Sequence, residues 1–435
     1  MEIEDKFYTC EEVPRLSFQD AKAMQLIADE KPVVLTHAHI CEPALKWDLK
    51  YLLEHIGDAE HVVFASCSNV FKYYDDQKIK FCPQFERPTE KLAMTFKEFY
   101  QRFNNWKPGE KKLYLQQSLS STVGPKVAAD FVSFNWLWLT NLQKLVNWGA
   151  LTSNLLLIAA KGGLTPVHYD EQQNLFCQLI GQKKVTLFSP EHHNRLYPHP
   201  VYHPHDRQSQ VDLSKPNFSL YPGLRHLHGH EAIVGPGDVL YIPIYWWHQV
   251  ESLNTHPYTV SLNFWYKAPP ADNISYPLLP RQEVVIMRNI EKMIVDVFKE
   301  PSQVDHFFQS LTLGRYTVQG ADVPATLSAS LMNPELFSKE HLNDQKREEP
   351  SKDSDKLVGV QARGARKKKI VGKNSSANVR GEGSAHAKDG TNSTCSCHET
   401  SNPVVENGSP SCTCCSSCSS SPSLCKNYSH ASQSS

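Results

Sequence analysis

Between Leu113 and Phe264 the chain alternates short apolar runs with turn signals, and this rhythm restricts the fold more than any other feature. The runs are Leu113-Tyr114-Leu115, Asn154 to Ile158, Leu175 to Ile180, Lys184 to Phe188, Ala232-Ile233-Val234, Val239 to Ile242 and Tyr258 to Phe264. Gly162-Gly163, Gly181 and Pro236-Gly237-Asp238 supply the breaks, because such residues take positive φ or pre-set a turn. Many short strands at this spacing imply a sandwich or jelly-roll barrel whose interior can hold a ligand.

The flanks read differently. Residues 1–112 mix strand-like pieces (Pro32 to Thr36, His61 to Ala65) with an amphipathic helix over Leu45 to Leu53, and are expected to form an α/β platform or lid on a core of residues 113–267. Over residues 281–299 the period changes, with Val284, Met287, Ile290, Ile294, Val297 and Phe298 on one helical stripe. Pro301 should break that helix, and Val304, Phe307, Phe308 and Leu311 start another before Gly314-Arg315-Tyr316. Residues 335–435 shift to Ser, Lys, Asn, Gly and Cys with almost no aromatics. Such a tail is expected to be disordered, since it cannot bury enough apolar surface to offset its ordering entropy.

With 45 basic and 46 acidic side chains, no whole-chain field points to nucleic acid or anionic lipid. The start, Met1 to Lys6, is acidic and lacks an apolar core, and no apolar run is long enough to span a bilayer. Cys10, Cys41, Cys67, Cys82 and Cys177 have neither metal nor disulfide spacing, which suits a reducing compartment. A soluble protein of the cytoplasm and nucleus is the expectation. In the tail, Arg366-Lys367-Lys368-Lys369 reads as a solvated charge run or a nuclear address, and the groups around Cys395 and Cys412 lack the spacing of a folded zinc module.

Against this background His168-Tyr169-Asp170 stands out, because it follows a strand-like run, and in an extended chain His168 and Asp170 project to the same side. His248 comes 78 positions after Asp170, behind Pro236 to Pro243 and beside Trp246 and Trp247. Two imidazoles and a carboxylate are the ligand set of a non-haem Fe(II) oxygenase, which leaves one face of the metal open. Two unrelated histidines in a hydrophobic barrel are the plain alternative.

Lys183 sits in an otherwise apolar run, and burying an ammonium is expensive unless an anion pairs with it. The distal carboxylate of 2-oxoglutarate would serve, with Thr165 and Tyr114 as further donors; otherwise Lys183 points outward at a hairpin corner. The remaining histidines, at 226–230, at 192 and 193, and from 199 to 205, have loop-like flanks and are expected on solvated surface loops.

Several longer stretches carry a family resemblance: Leu113 to Gln117, Leu151 to Ile158, Thr165 to Asn174, Asp206 to Asp212, Val234 to Pro243, Tyr245-Trp246-Trp247-His248 and Asn263 to Lys267. Together they resemble the asparaginyl hydroxylases of the JmjC branch of the 2-oxoglutarate oxygenases, over about Val13 to Tyr316. The resemblance implies a double-stranded β-helix (jelly-roll, cupin-like) barrel, mainly β with flanking helices, and a C-terminal helical segment over residues 268–320 that forms a homodimer. It implies Fe(II) on His168, Asp170 and His248. It places the 2-oxoglutarate distal carboxylate on Tyr114, Thr165 and Lys183, with Asn174 and Asn263 near its metal-binding end. Arg207 and Gln208 would hold a target asparagine amide, while Tyr73, Gln116 and Trp265 would line the peptide channel. The implied protein substrates are the hypoxia-inducible factor alpha transactivation domain and ankyrin-repeat proteins, with no role for nucleic acid or membrane. Action on lysine or histidine, or a non-catalytic ankyrin-binding adaptor, are the rival functions.

Overall fold

The structure is a computed structural model and describes residues 7–119, 123–270, 274 and 276–312. Fourteen strands are found among them: β1 Thr9–Glu12, β2 Arg15–Ser17, β3 Val33–Thr36, β4 Glu60–Ser66, β5 Glu90–Thr95, β6 Lys112–Ser118 and β7 Leu151–Ala160, then β8 Leu164–Tyr169, β9 Gln173–Ile180, β10 Lys183–Phe188, β11 His228–Val234, β12 Val239–Ile242, β13 Trp247–Ser252 and β14 Tyr258–Tyr266. They form a five-stranded sheet in the order β1-β11-β10-β13-β8 and a nine-stranded sheet in the order β2-β3-β12-β9-β14-β7-β6-β4-β5.

The sheets face one another across an apolar layer. Val185, Leu187, Ala232 and Val234 of the smaller sheet meet Tyr114, Leu157, Phe176 and Leu240 of the larger. This is the jelly-roll, cupin-like architecture, with its interior open to a cleft at one end. Helices α1 Ala21–Ala28, α2 Leu49–His55, α3 Phe96–Asn104, α4 Pro125–Val132 and α5 Trp136–Leu145 cover a second core with Trp47, Phe96, Phe99, Leu142 and Phe264. The larger sheet is therefore packed on both faces, which is why β9 is buried nearly throughout.

The first 112 residues differ from expectation. They do not lie on the barrel as a platform, because β2 and β3 extend the larger sheet past β12, and β4 and β5 extend it past β6. Helix α2 begins at Leu49 rather than Leu45, since the Asp48 side chain accepts a hydrogen bond from the Tyr51 amide and caps it there. At the C-terminal side α6 spans Pro280–Phe298 and α7 spans Pro301–Thr312. The break falls where Pro301 placed it, with Lys299 in the left-handed region at the junction. The single apolar stripe expected on α6 is two faces: Val284, Arg288 and Ile294 are buried, while Met287, Ile290, Met293 and Val297 are exposed. Gly314 to Tyr316 and the tail lie outside the described residues. Among the described residues no helix is long and apolar enough to cross a membrane.

Candidate metal centre and cosubstrate cleft

Strands β8 and β13 pair antiparallel with His168 opposite His248 and Tyr169 opposite Trp247. This register brings the two imidazoles together, with ring centroids 4.1 Å apart and planes tilted by 51°. Asp170 leaves the end of β8, and its carbonyl accepts from the Tyr245 amide at 2.9 Å. One donor atom from each of His168, Asp170 and His248 lies within 4.8 Å of the others, and His248 Nε2 is 3.8 Å from Asp170 Oδ2.

The donors also suit a metal chemically. His168 Nδ1 is 2.8 Å from the Pro166 carbonyl and His248 Nδ1 is 3.0 Å from the Trp246 carbonyl. An Nδ1–H donated to each carbonyl leaves the Nε2 lone pair of each ring for a ligand, the arrangement that orients metal-binding histidines. Burial, with His248 beside it, pushes the His168 imidazole down to about 4, so it is neutral at physiological pH. Burial pushes the Asp170 carboxyl up, but His248, His168 and Arg207, together with the Trp265 indole at 3.2 Å, hold it below the usual carboxylate range. Two imidazoles and a carboxylate with one open side fit a divalent ion such as Fe(II).

A cavity of about 350 Å³ adjoins this centre. The tight turn at Gly181, with φ +70° and no room for a Cβ against the Tyr258 carbonyl, leads from β9 into β10 and brings Lys183 inside. The Lys183 residue is 1% exposed. Its ammonium faces the rings of Phe176 at 5.1 Å and Tyr114 at 5.9 Å, and among the described residues no carboxylate pairs with it. Burial alone pushes the ammonium down to about 7. Tyr114 hydrogen-bonds Thr165, and both line the cavity. Asn174 Oδ1 and Asn263 Oδ1 are buried there without a partner among the described residues. An unpaired cation and two hydroxyls beside one void fit a small dicarboxylate, whose oxygens can accept from them and from the amide N–H groups of Asn174 and Asn263, not from the orphaned Oδ1 atoms.

The expected channel residues meet at the cavity mouth: Tyr73, Gln116, Arg207, Gln208 and Trp265 all line it. Tyr73 is half exposed. Arg207 Nη1 is 3.7 Å from Asp170 Oδ1, and the Gln208 amide nitrogen donates to the Tyr73 carbonyl.

Of the histidines expected on solvated loops, His226 is exposed at the end of a 3-10 helix, but the rest are built into the fold. His228 and His230 lie on β11, which pairs with β1 and β10, and His192 and His193 are buried in a 3-10 helix from Pro190 to Leu196. His199, His203 and His205 stack together, 4.2 to 5.5 Å between centroids, because turns at the intervening prolines fold the segment inward. Sequence reasoning missed Lys72, which lines the cavity within 3.4 Å of His199, and Arg288. The signal for Arg288 was available: a cation four positions after Val284, on the face α6 buries.

Residues 19–272 match the model of a family described as Cupin-like domain. The JmjC domain-containing protein D of Dictyostelium discoideum is 40% identical over 97 residues, covering 22% of each chain. Lysine-specific demethylase 8 of Danio rerio is 37% identical over 105 residues, 24% of this chain and 25% of that protein. HSPB1-associated protein 1 of Homo sapiens is 28% identical over 273 residues, 57% of this chain and 50% of that protein. The chain thus spans between 22% and 50% of the length of these relatives.

Proposed function

Starting from the fact that the chain belongs to the cupin-like domain family, on its JmjC oxygenase branch, we propose that it is a protein asparaginyl β-hydroxylase dependent on Fe(II) and 2-oxoglutarate, of the kind represented by factor inhibiting hypoxia-inducible factor. The observation that carries the cosubstrate is the Lys183 ammonium, buried without an anion against Tyr114 and Phe176, two residues that line the cavity shared with His168, Asp170 and His248. With O₂ as the oxidant, bound iron and 2-oxoglutarate would supply an oxidative decarboxylation to succinate and CO₂, one oxygen atom of O₂ ending in succinate and the other in the hydroxylated side chain. The chain's own residues position and shield. Lys183, Tyr114 and Thr165 fix the distal carboxylate, Asn174 and Asn263 orient the other end, and Phe71, Leu157, Phe176 and Val250 keep water out.

Arg207 and Gln208 favour a primary amide. The guanidinium donates to the amide oxygen, and Gln208, its nitrogen engaged by Tyr73, offers its oxygen to the amide N–H. The proposed substrates are extended segments of the hypoxia-inducible factor alpha transactivation domain and of ankyrin-repeat proteins, and the proposed setting is the cytoplasm and nucleus. The names of two relatives favour a second reading, lysine demethylation. A methyl-ammonium would meet the fixed Arg207 charge beside Asp170, which speaks against it.

Two measurements test the proposal. Mass spectrometry of a reacted peptide library should place one added oxygen on asparagine, and oxygen on lysine or histidine, or demethylation, would refute the substrate class. Asp170→Ala should abolish succinate formation, and full turnover in that variant would refute the ligand set.

A further inference from the structure

Helix α6 carries a side chain that the proposed chemistry leaves without a task. Arg288 is 4% exposed, although the opposite face of α6 is open. Its Nη1 donates to the Tyr169 hydroxyl at 2.7 Å and to Asp206 Oδ1 at 2.8 Å, its Nη2 to Asp206 Oδ2 at 3.1 Å, and its Nε to Glu171 Oε1 at 2.9 Å. Tyr169 and Glu171 are the neighbours of Asp170 on either side, and Asp206 is the neighbour of Arg207. One planar fork therefore grips both the metal-side strand and the loop proposed to hold substrate.

Each end is otherwise set up to need such a clamp. Arg207 has φ 67°, a left-handed conformation that a non-glycine residue keeps only where its surroundings over-determine it. The loop touches β8 through two backbone bonds, Tyr169 N to Arg207 O and Ser209 N to Val167 O, both 3.0 Å. Burial pushes the Asp206 carboxyl up, but Arg288, with Lys78 at 2.8 Å, more than reverses this and holds it below the usual range. Asp206 is thus a charged peg between two cations. Tyr169 completes the path inward, packed edge-on against Trp247, whose neighbour is His248.

We propose that Arg288 is a positioning residue: from outside the barrel it sets the register between Arg207-Gln208 and His168-Asp170, and so the distance at which substrate is presented to the metal centre. The catalytic consequence rests on the proposed function; the structural one does not.

Two conservative variants in the full chain test it. Arg288→Lys keeps the charge and loses the fork, and Asp206→Asn keeps the shape and loses the ion pairs; where one fails to fold, the other carries the test. In hydrogen exchange followed by mass spectrometry, peptides covering 203–212 should exchange about tenfold faster in either variant, with β9 and β14 unchanged, and the double variant should add little. With the hypoxia-inducible factor peptide, KM should rise about tenfold while KM for 2-oxoglutarate stays within about twofold, and succinate should outrun hydroxylated product. Unchanged exchange over 203–212 overturns the proposal. So does an unchanged peptide KM with kcat lowered only in proportion to the folded fraction, the result of a merely structural role. If the unaltered protein hydroxylates no asparagine, the proposed function fails and the exchange measurement alone decides for Arg288.

Discussion

A buried ammonium without an anion destabilises the fold that contains it, and on the proposed function a dicarboxylate would relieve that cost at Lys183. Lys183→Met should therefore raise the stability of the ligand-free protein by roughly 1–3 kcal/mol and erase the shift in unfolding temperature that 2-oxoglutarate causes. Loss of stability with a retained shift would contradict the assignment. The titration has a definite sign. Burial lowers the free ammonium to about 7, and an incoming carboxylate favours its charged form, so binding takes up a proton. Affinity for 2-oxoglutarate should be full below pH 7 and weaken by up to about tenfold per pH unit above it, as calorimetric titration across that range would show. At this scale much was legible: His168, Asp170, His248 and Lys183 stand out because polar groups in apolar runs need a reason. The burial of His192, His193 and His205 was not, because proline-rich flanks look alike whether a segment folds outward or inward.

Helix α6 shows what a periodic pattern can and cannot say. The spacing marks a helix over about 281–299, and the structure has it at Pro280–Phe298. The apolar positions, however, divide between a face that packs on the barrel through Val284 and Ile294 and one that leaves Met287, Ile290, Met293 and Val297 open. We read the open face as a surface for a second copy of the chain, since exposed apolar rows of this kind mark association sites. Ile290→Arg should convert a dimer to a monomer in sedimentation velocity, and an unaltered mass would exclude that face. At the β9–β10 turn, Gly181→Ala should destabilise the fold by about 1–3 kcal/mol in chemical denaturation, because its φ of +70° is strained for alanine and its Cβ would sit 2.7 Å from the Tyr258 carbonyl. Turn signals revealed that position. Helix starts were less readable, since the cap at Asp48 outweighs the apolar pattern that begins at Leu45.

Across the whole molecule the site belongs to no single layer. The smaller sheet brings Thr165, His168, Lys183 and His248, while the larger brings Tyr114, Asn174 and Asn263. Pairings such as β3 with β12 and β1 with β11 join distant segments, and nothing in a local pattern announces them; the reading of residues 1–112 as a platform failed for that reason. Metal and 2-oxoglutarate together should raise the unfolding midpoint, by about 2.7 kcal/mol at a hundredfold excess over Kd, and a chelator should remove the gain. A midpoint indifferent to both would argue against a cosubstrate site here. On the proposed function, a cosubstrate held by residues of both sheets would act as a rivet through the protein as well as a reactant. A cell depleted of that keto acid would hold the same polypeptide with a looser seam, more open to proteases, so that its abundance would follow carbon supply even where oxygen is plentiful.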